Sequence, residues 1–205
     1  MAIFERLSGA VCVAICLATA VPAVATETPK PDVSALVDAA AMQDIRDMLA
    51  SEILTLSVLA QNEHRGSLKQ ADIDALDKQW RAEREQADKP LIATTMASPL
   101  SSYLIRRQAA SLGLYSEIFV MDANGLNVGQ SAITSDYWQG DEAKFQKTFQ
   151  VAPDAVFIDE AEWHEGSRTW RVQVNLALIG DEPGKAIGAA TVEINLTELA
   201  RRRAD

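Results

Sequence analysis

The spacing of apolar residues changes near the middle of the chain, from the three- and four-residue intervals of helices to the two-residue alternation of strands. Six apolar residues before position 65 share one face of a predicted helix: Ile45, Met48, Leu49, Ile53, Leu56 and Ala60. Arg65 and Gly66 then supply a cation for the last turn and a residue suited to a helix end. The pattern predicts a long N-terminal helix with one side against a core.

Two more helices are predicted before the strands begin. The first covers about residues 71–88, ends before Pro90, and has four apolar residues on one face: Ile73, Leu76, Trp80 and Ala87. The second runs over residues 99–112, because Ser98 is a favourable N-cap and Pro99 suits the first helical position.

The second half of the chain reads as strands in succession. Five are predicted, at residues 118–121, 126–131, 155–158, 168–178 and 186–196, and the first two form a hairpin around the turn at 122–125. The fourth is the clearest, because its even positions from Trp170 to Leu178 are apolar while Arg171, Gln173 and Asn175 are polar. Helices followed by strands predict an α+β domain in which the helices pack on an antiparallel five-stranded sheet.

The first residues predict export. An apolar run over residues 10–21 precedes Ala23-Val24-Ala25, a small-residue site typical of signal-peptide cleavage after Ala25. A retained membrane anchor is the alternative, but it would need a longer run or a cysteine suited to lipidation. Both cysteines lie inside the signal, so the exported protein is expected to have no disulfide. The expected divisions are a signal peptide at 1–25, a leader at 26–34, one domain at 35–200 and a basic tail at 201–205.

Charge narrows the range of partners. The formal net charge is -10, which disfavours binding to nucleic acid. The basic cluster Arg201-Arg202-Arg203 is read as a solvated helix terminus or tail rather than a docking patch.

Two segments carry a resemblance to a known family. The hairpin at 117–125, with Asp122 and Gly125 in its turn, is followed by the polar aromatic segment Ser135-Asp136-Tyr137-Trp138-Gln139. In this order they resemble the PDC/Cache sensor domains, PAS-like modules that bacteria place outside the cytoplasmic membrane. The resemblance implies a PAS-like sheet and a small-molecule pocket between the sheet and residues 134–144. Family members usually lie between transmembrane helices of receptors, whereas this sequence predicts a stand-alone periplasmic module without its own transmembrane or output domain.

The resemblance implies five candidate ligand-binding residues: Asp136, Tyr137, Trp138, Lys144 and Arg171. The two aromatic side chains can wall a pocket and donate hydrogen bonds, and Asp136 can hold a cationic or hydroxyl group. Lys144 or Arg171 can pair with a ligand carboxylate. The alternative is that Trp138 fills space in the core.

Metal-binding and catalytic patterns are weaker. Acidic residues at 159–165 supply oxygens that could hold calcium, but they match no known loop spacing and a solvated hairpin is favoured. A nucleophile elbow around Ser131 is missing, since Ile133 occupies the place of its second glycine. His64 and His164 belong to no zinc-binding motif. The sequence therefore predicts a protein that is not an enzyme and that needs no cofactor or metal.

The leading hypothesis is a periplasmic module that binds or senses a small molecule, such as a carboxylate or an amine. The alternative is an interaction module that docks on a membrane receptor or on a second copy of the chain. That alternative uses a second apolar face of the N-terminal helix, formed by four residues: Ala39, Ala40, Met42 and Leu54.

Overall fold

The computed structural model describes residues 29–180, 182 and 184–204, so the predicted signal peptide lies outside the described residues. The helices in this part are α1 (Val33–Leu36), α2 (Ala39–Leu49), α3 (Glu52–Arg65), α4 (Gln70–Arg84), α5 (Pro90–Met96), α6 (Pro99–Ala110), α7 (Ala143–Gln146) and α8 (Leu196–Ala204). The strands are β1 (Tyr115–Met121), β2 (Asn127–Gln130), β3 (Val156–Ile158), β4 (Glu162–His164), β5 (Thr169–Ile179) and β6 (Ala186–Asn195). The predicted α+β fold is confirmed.

The strands form one antiparallel sheet in the order β2-β1-β6-β5-β3, and β4 also pairs with β5. The five predicted strands are all present. Strand β4 was missed, because its three residues lie in the acidic segment that reads as a turn. Its central residue, Trp163, packs edge-to-face on Trp170 of β5 with ring centroids 5.5 Å apart, and this contact lies outside the reach of local sequence patterns.

The predicted long N-terminal helix is interrupted. Helix α2 ends at Leu49, and Ser51 has the extended backbone of an N-cap (φ -70°, ψ 132°) before α3 begins. The break changes the helical phase, so Leu54 is buried with 1% exposure while Leu56 is 58% exposed. The predicted buried face is therefore wrong beyond residue 50. Leu54 belongs to the core rather than to a second apolar face.

Helices α4 and α6 correspond to the two other predicted helices with small changes in their bounds, and the short helix α5 lies between them. Helix α4 ends at Arg84, and Pro90 begins α5 at a position where its missing N–H costs nothing. Ser98 caps α6 as predicted, with its hydroxyl accepting a hydrogen bond from the Ser101 N–H at 3.0 Å.

The core lies between the sheet and the N-terminal helices. Helix α3 contacts β6, and α6 contacts β1 and β2. On this face Ile118, Val192 and Val174 stand side by side on β1, β6 and β5, and each has 0% exposure. Among the described residues, no helix combines the length and the apolar character that crossing a membrane requires.

The C-terminal basic residues form the end of a helix, which is one of the two readings that the sequence left open. Residues 201–204, predicted to belong to a basic tail, are the last turn of α8. The Glu198 carboxylate accepts hydrogen bonds from Arg201 and Arg202 at 2.8–2.9 Å, the three- and four-residue spacing that stabilises a helix. Arg203 pairs with Asp38 at 2.8 Å, which ties α8 to the N-terminus of α2.

Candidate functional site

The face of the sheet opposite the core carries a row of polar side chains. Glu193 on β6 is the register partner of both Glu117 on β1 and Gln173 on β5, so the three lie side by side. The register shifts between Tyr115 and Glu117, as at a β-bulge. Because of this shift Tyr115 still packs partly against the core while Glu117 lies on the polar face.

The connection between β2 and β3, residues 131–155, covers part of this polar face. At one end its aromatic residues fill the space in a small apolar cluster: Phe119, Met121, Phe145, Ala189 and Phe149. At the other end a cavity of about 240 Å³ is left open between α7, β4, β5 and β6. Its lining residues are Glu142, Ala143, Lys144, Asp159, Glu160, Glu162, Arg171, Val172, Gln173 and Glu193.

Ion pairs hold the two cationic side chains of the lining. An Arg171 guanidinium nitrogen lies 2.8 Å from a carboxylate oxygen of Glu193, and these side chains are only 23% and 17% exposed. The Lys144 ammonium lies 2.8 Å from the Glu142 carboxylate and donates to the Gln139 side-chain oxygen at 3.3 Å. These contacts preorganise the charged walls of the cavity.

Glu117 adds a titratable group beside the cavity. Burial of its carboxyl, together with the negative charge of Glu193, raises the pKa of Glu117 to about 7, although Lys144 and Arg171 oppose the shift. Near neutral pH this carboxyl is therefore partly protonated.

The structure brings only two of the five predicted site residues to the cavity, Lys144 and Arg171. Asp136 instead pairs with Arg81 of α4 at 3.1 Å. The backbone N–H groups of Tyr137 and Trp138 both donate to the Asp77 carboxylate of α4, at 2.9 and 3.1 Å. Residues 136–138 of the connection are therefore held against α4 by hydrogen bonds and an ion pair.

The two predicted aromatic residues are packed on the helical side. Tyr137 is 2% exposed and stacks on Trp80 with ring centroids 5.1 Å apart. Its hydroxyl oxygen accepts a hydrogen bond from Arg65 at 3.0 Å. The Trp138 indole N–H donates to the backbone oxygen of Asn124 at 2.9 Å, which holds the connection to the β1–β2 turn.

Sequence reasoning missed Glu117 and Glu193. Each alternates with a buried apolar neighbour, which is a signal for a solvent-facing position on a strand, but only the register of three strands brings them together with Arg171. Pairing between distant strands does not follow from the local pattern.

The acidic segment at 159–165 contributes to the rim of the cavity. Asp159 and Glu160 are exposed, and Glu160 lies 3.4 Å from the Lys30 ammonium. Within residues 29–180, 182 and 184–204 no three carboxylate, histidine or cysteine side chains are arranged to hold a metal ion.

Comparisons with solved structures find similar folds. One is the ligand-binding domain of the Campylobacter jejuni chemoreceptor Tlp3 in complex with 4-methylisoleucine, at 13% identity and a TM-score of 0.38, covering 83% of this chain and 66% of that chain. Another is the ligand-binding domain of the Pseudomonas aeruginosa PAO1 amino acid chemoreceptor PctC in complex with GABA, at 15% identity and a TM-score of 0.36, covering 80% of this chain and 63% of that chain. A third is the extracellular domain of vpHK1S-Z8, a proposed histidine kinase, at 12% identity and a TM-score of 0.44, covering 80% and 53%.

This chain spans less than two thirds of the length of each of these domains. They are of the sensor type that the sequence resembles, and the similarity concerns the fold. No protein-family model matches the chain, and no curated protein matches it.

Proposed function

We propose that this protein is a periplasmic module that binds a small molecule in the cavity between α7 and the polar face of the sheet. The observation that carries the proposal is the contrast within one cover: the connection at 131–155 fills the sheet face at one end and leaves about 240 Å³ open at the other. The signal-like run at 10–21 supports the periplasmic location.

The chemistry of the cavity favours recognition of a polar ligand. Charged side chains from α7, β5 and β6 converge on it, and the ion pairs of Arg171 and Lys144 fix their positions. Polar groups held in place within a concave site fix the orientation of a small ligand and provide specificity. The volume is below the roughly 300 Å³ at which sites for drug-sized molecules begin, so a metabolite of modest size fits it.

In this proposal Lys144 and Arg171 act at the site, while Asp136, Tyr137 and Trp138 position the connection that covers it. The alternative, docking on a receptor or on a second copy through the N-terminal helix, has less support. Leu54 is buried in the core and Met42 packs partly against it, so neither belongs to a free apolar face.

A thermal-shift screen of amino acids, organic acids and amines tests the proposal, with GABA and branched amino acids included. A compound that binds only the folded state raises the melting temperature by mass action. We expect at least one such compound, and we expect Ala143→Trp to weaken its binding at least tenfold, because Ala143 lines the cavity and the indole would fill it.

The matched control is Ala110→Trp, which adds the same side chain at an exposed position in the last turn of α6. It should leave the shift unchanged. A screen without any stabilising compound would contradict the proposal, and equal binding by both tryptophan variants would place the site elsewhere.

A further inference from the structure

The charges around the cavity point to the class of molecule that it holds. Five of the ten lining residues carry carboxylates: Glu142, Asp159, Glu160, Glu162 and Glu193. Only Lys144 and Arg171 carry cations, and the nearby Lys30 brings one more to the rim through Glu160. The walls are therefore negative even when every lysine and arginine is counted.

The two cations in the wall are already engaged. Arg171 is held by Glu193 at 2.8 Å and also donates to the Ser167 hydroxyl at 3.0 Å. Lys144 is held by Glu142 at 2.8 Å. A ligand carboxylate would have to displace these acids from their partners while approaching the remaining carboxylates, and partial burial strengthens that repulsion.

An ammonium group meets the opposite situation. It can donate three hydrogen bonds, and among the described residues Asp159 and Glu162 of the lining form no ion pair, so their carboxylate oxygens are available to it. Glu162 lies on β4 as the register partner of Arg171, which places it beside the existing ion pair in the lining of the cavity. Glu117, next to Glu193 in the polar row, adds a further acid behind the wall.

We propose that the cavity binds an aliphatic amine that carries net positive charge and no carboxylate, such as a short diamine. This inference rests on the proposed function, because it names the ligand class of the same site. A cavity of about 240 Å³ has the volume of roughly eight liquid water molecules, so a chain of four to six heavy atoms and its remaining hydration fit inside.

A series of three four-carbon compounds isolates the charge of the ligand. Calorimetric titration of the full exported chain with 1,4-diaminobutane, 4-aminobutanoate and butanedioate keeps chain length nearly constant while net charge changes from positive to zero to negative. We expect the diamine to bind at least tenfold more tightly than the zwitterion, and the dianion not to bind. Added salt should weaken binding of the diamine, since its attraction to the walls is electrostatic.

Glu162→Gln removes one wall charge at nearly constant shape. It should weaken binding of the diamine about fivefold or more, while Glu165→Gln, an exposed acid of the same segment that does not line the cavity, should leave binding unchanged. Equal binding by both variants would overturn the amine inference. So would calcium ions that bind more tightly than the diamine in a titration with calcium chloride.

The outcomes also separate the two proposals. Tighter binding of 4-aminobutanoate or butanedioate, abolished by Ala143→Trp, would overturn the amine inference and leave a ligand-binding cavity. Failure of this series and of the whole screen would overturn both.

Discussion

The two faces of the sheet use neighbouring residues of the same three strands for different purposes. Toward the helices, the row of Ile118, Val192 and Val174 has 0% exposure. One residue along each strand, the opposite face presents the row of Glu117, Glu193 and Gln173 beside an open cavity. A shift of one position thus separates a filled apolar layer from a polar layer with space.

This difference assigns stability and recognition to separate surfaces. Apolar burial contributes about 25 cal/mol for each Å² removed from water, and the helix-facing row gains it in full. Charged groups on the other face lose hydration that their ion pairs only partly restore. We infer that substitutions on the helix-facing side change the free energy of unfolding most, and that substitutions around the cavity chiefly change binding.

The largest effect is expected from Ile118→Ala. Removing the side chain leaves a cavity in the layer beneath α6, and such changes cost about 2–5 kcal/mol of unfolding free energy. Urea unfolding followed by circular dichroism measures the loss. The control is Ile133→Ala, at a residue that is 47% exposed and should change stability by less than about 0.5 kcal/mol. Equal losses in the two variants would contradict the assignment of stability to this face.

A smaller change in the free energy of unfolding, an increase, is expected from Glu117→Gln. The pKa of Glu117 is raised from 4.5 to about 7 by burial and by Glu193, against the pull of Lys144 and Arg171. Between these values the folded state holds a proton that the unfolded state releases. The contribution of this group to stability is therefore full below pH 4.5 and is lost as the pH rises through 7.

Glutamine stays uncharged, so the variant should lack this decline and should exceed the original protein above pH 7 by about 1–3 kcal/mol, at about 1.4 kcal/mol for each pKa unit. Unfolding in urea at intervals from pH 4 to 8 measures both curves. Glu165→Gln, at an exposed turn, should keep the original slope. Parallel curves for Glu117→Gln and the original protein would show that the polar row is not desolvated.

Periodicity predicted the helix-facing side better than the cavity. The alternation in β5 identified Val172, Val174 and Leu176 as buried, because one strand carries that signal by itself. It could not identify Glu117 or Glu193 as neighbours of Arg171, since their proximity depends on the register of β1, β6 and β5 and on a bulge.

The sequence predicted where the covering connection lies, but not which of its residues line the cavity and which pack on the helices. Residues 134–144 do link the hairpin to the cavity region, and Lys144 and Arg171 do line it. The aromatic half was expected there too, but Asp77 and Trp80 of α4 hold it by hydrogen bonds and ring stacking. The local spacing of residues carries no information on contacts between residues about 60 positions apart.

The smallest effect on stability is expected from Trp138→Phe, which tests whether the aromatic half of the connection lies outside the ligand site. The change removes the hydrogen bond from the indole N–H to the Asn124 oxygen while keeping an aromatic ring, at a cost of about 0.5–1.5 kcal/mol. Because Trp138 does not line the cavity, affinity for a cavity ligand should stay within about twofold. Calorimetry and urea unfolding on one preparation measure both quantities. Ala143→Trp should show the reverse pattern, with binding lost and folding kept. If Trp138→Phe instead lost affinity at unchanged stability, the indole would contact the ligand, and the polar cavity would extend to the aromatic half of the connection.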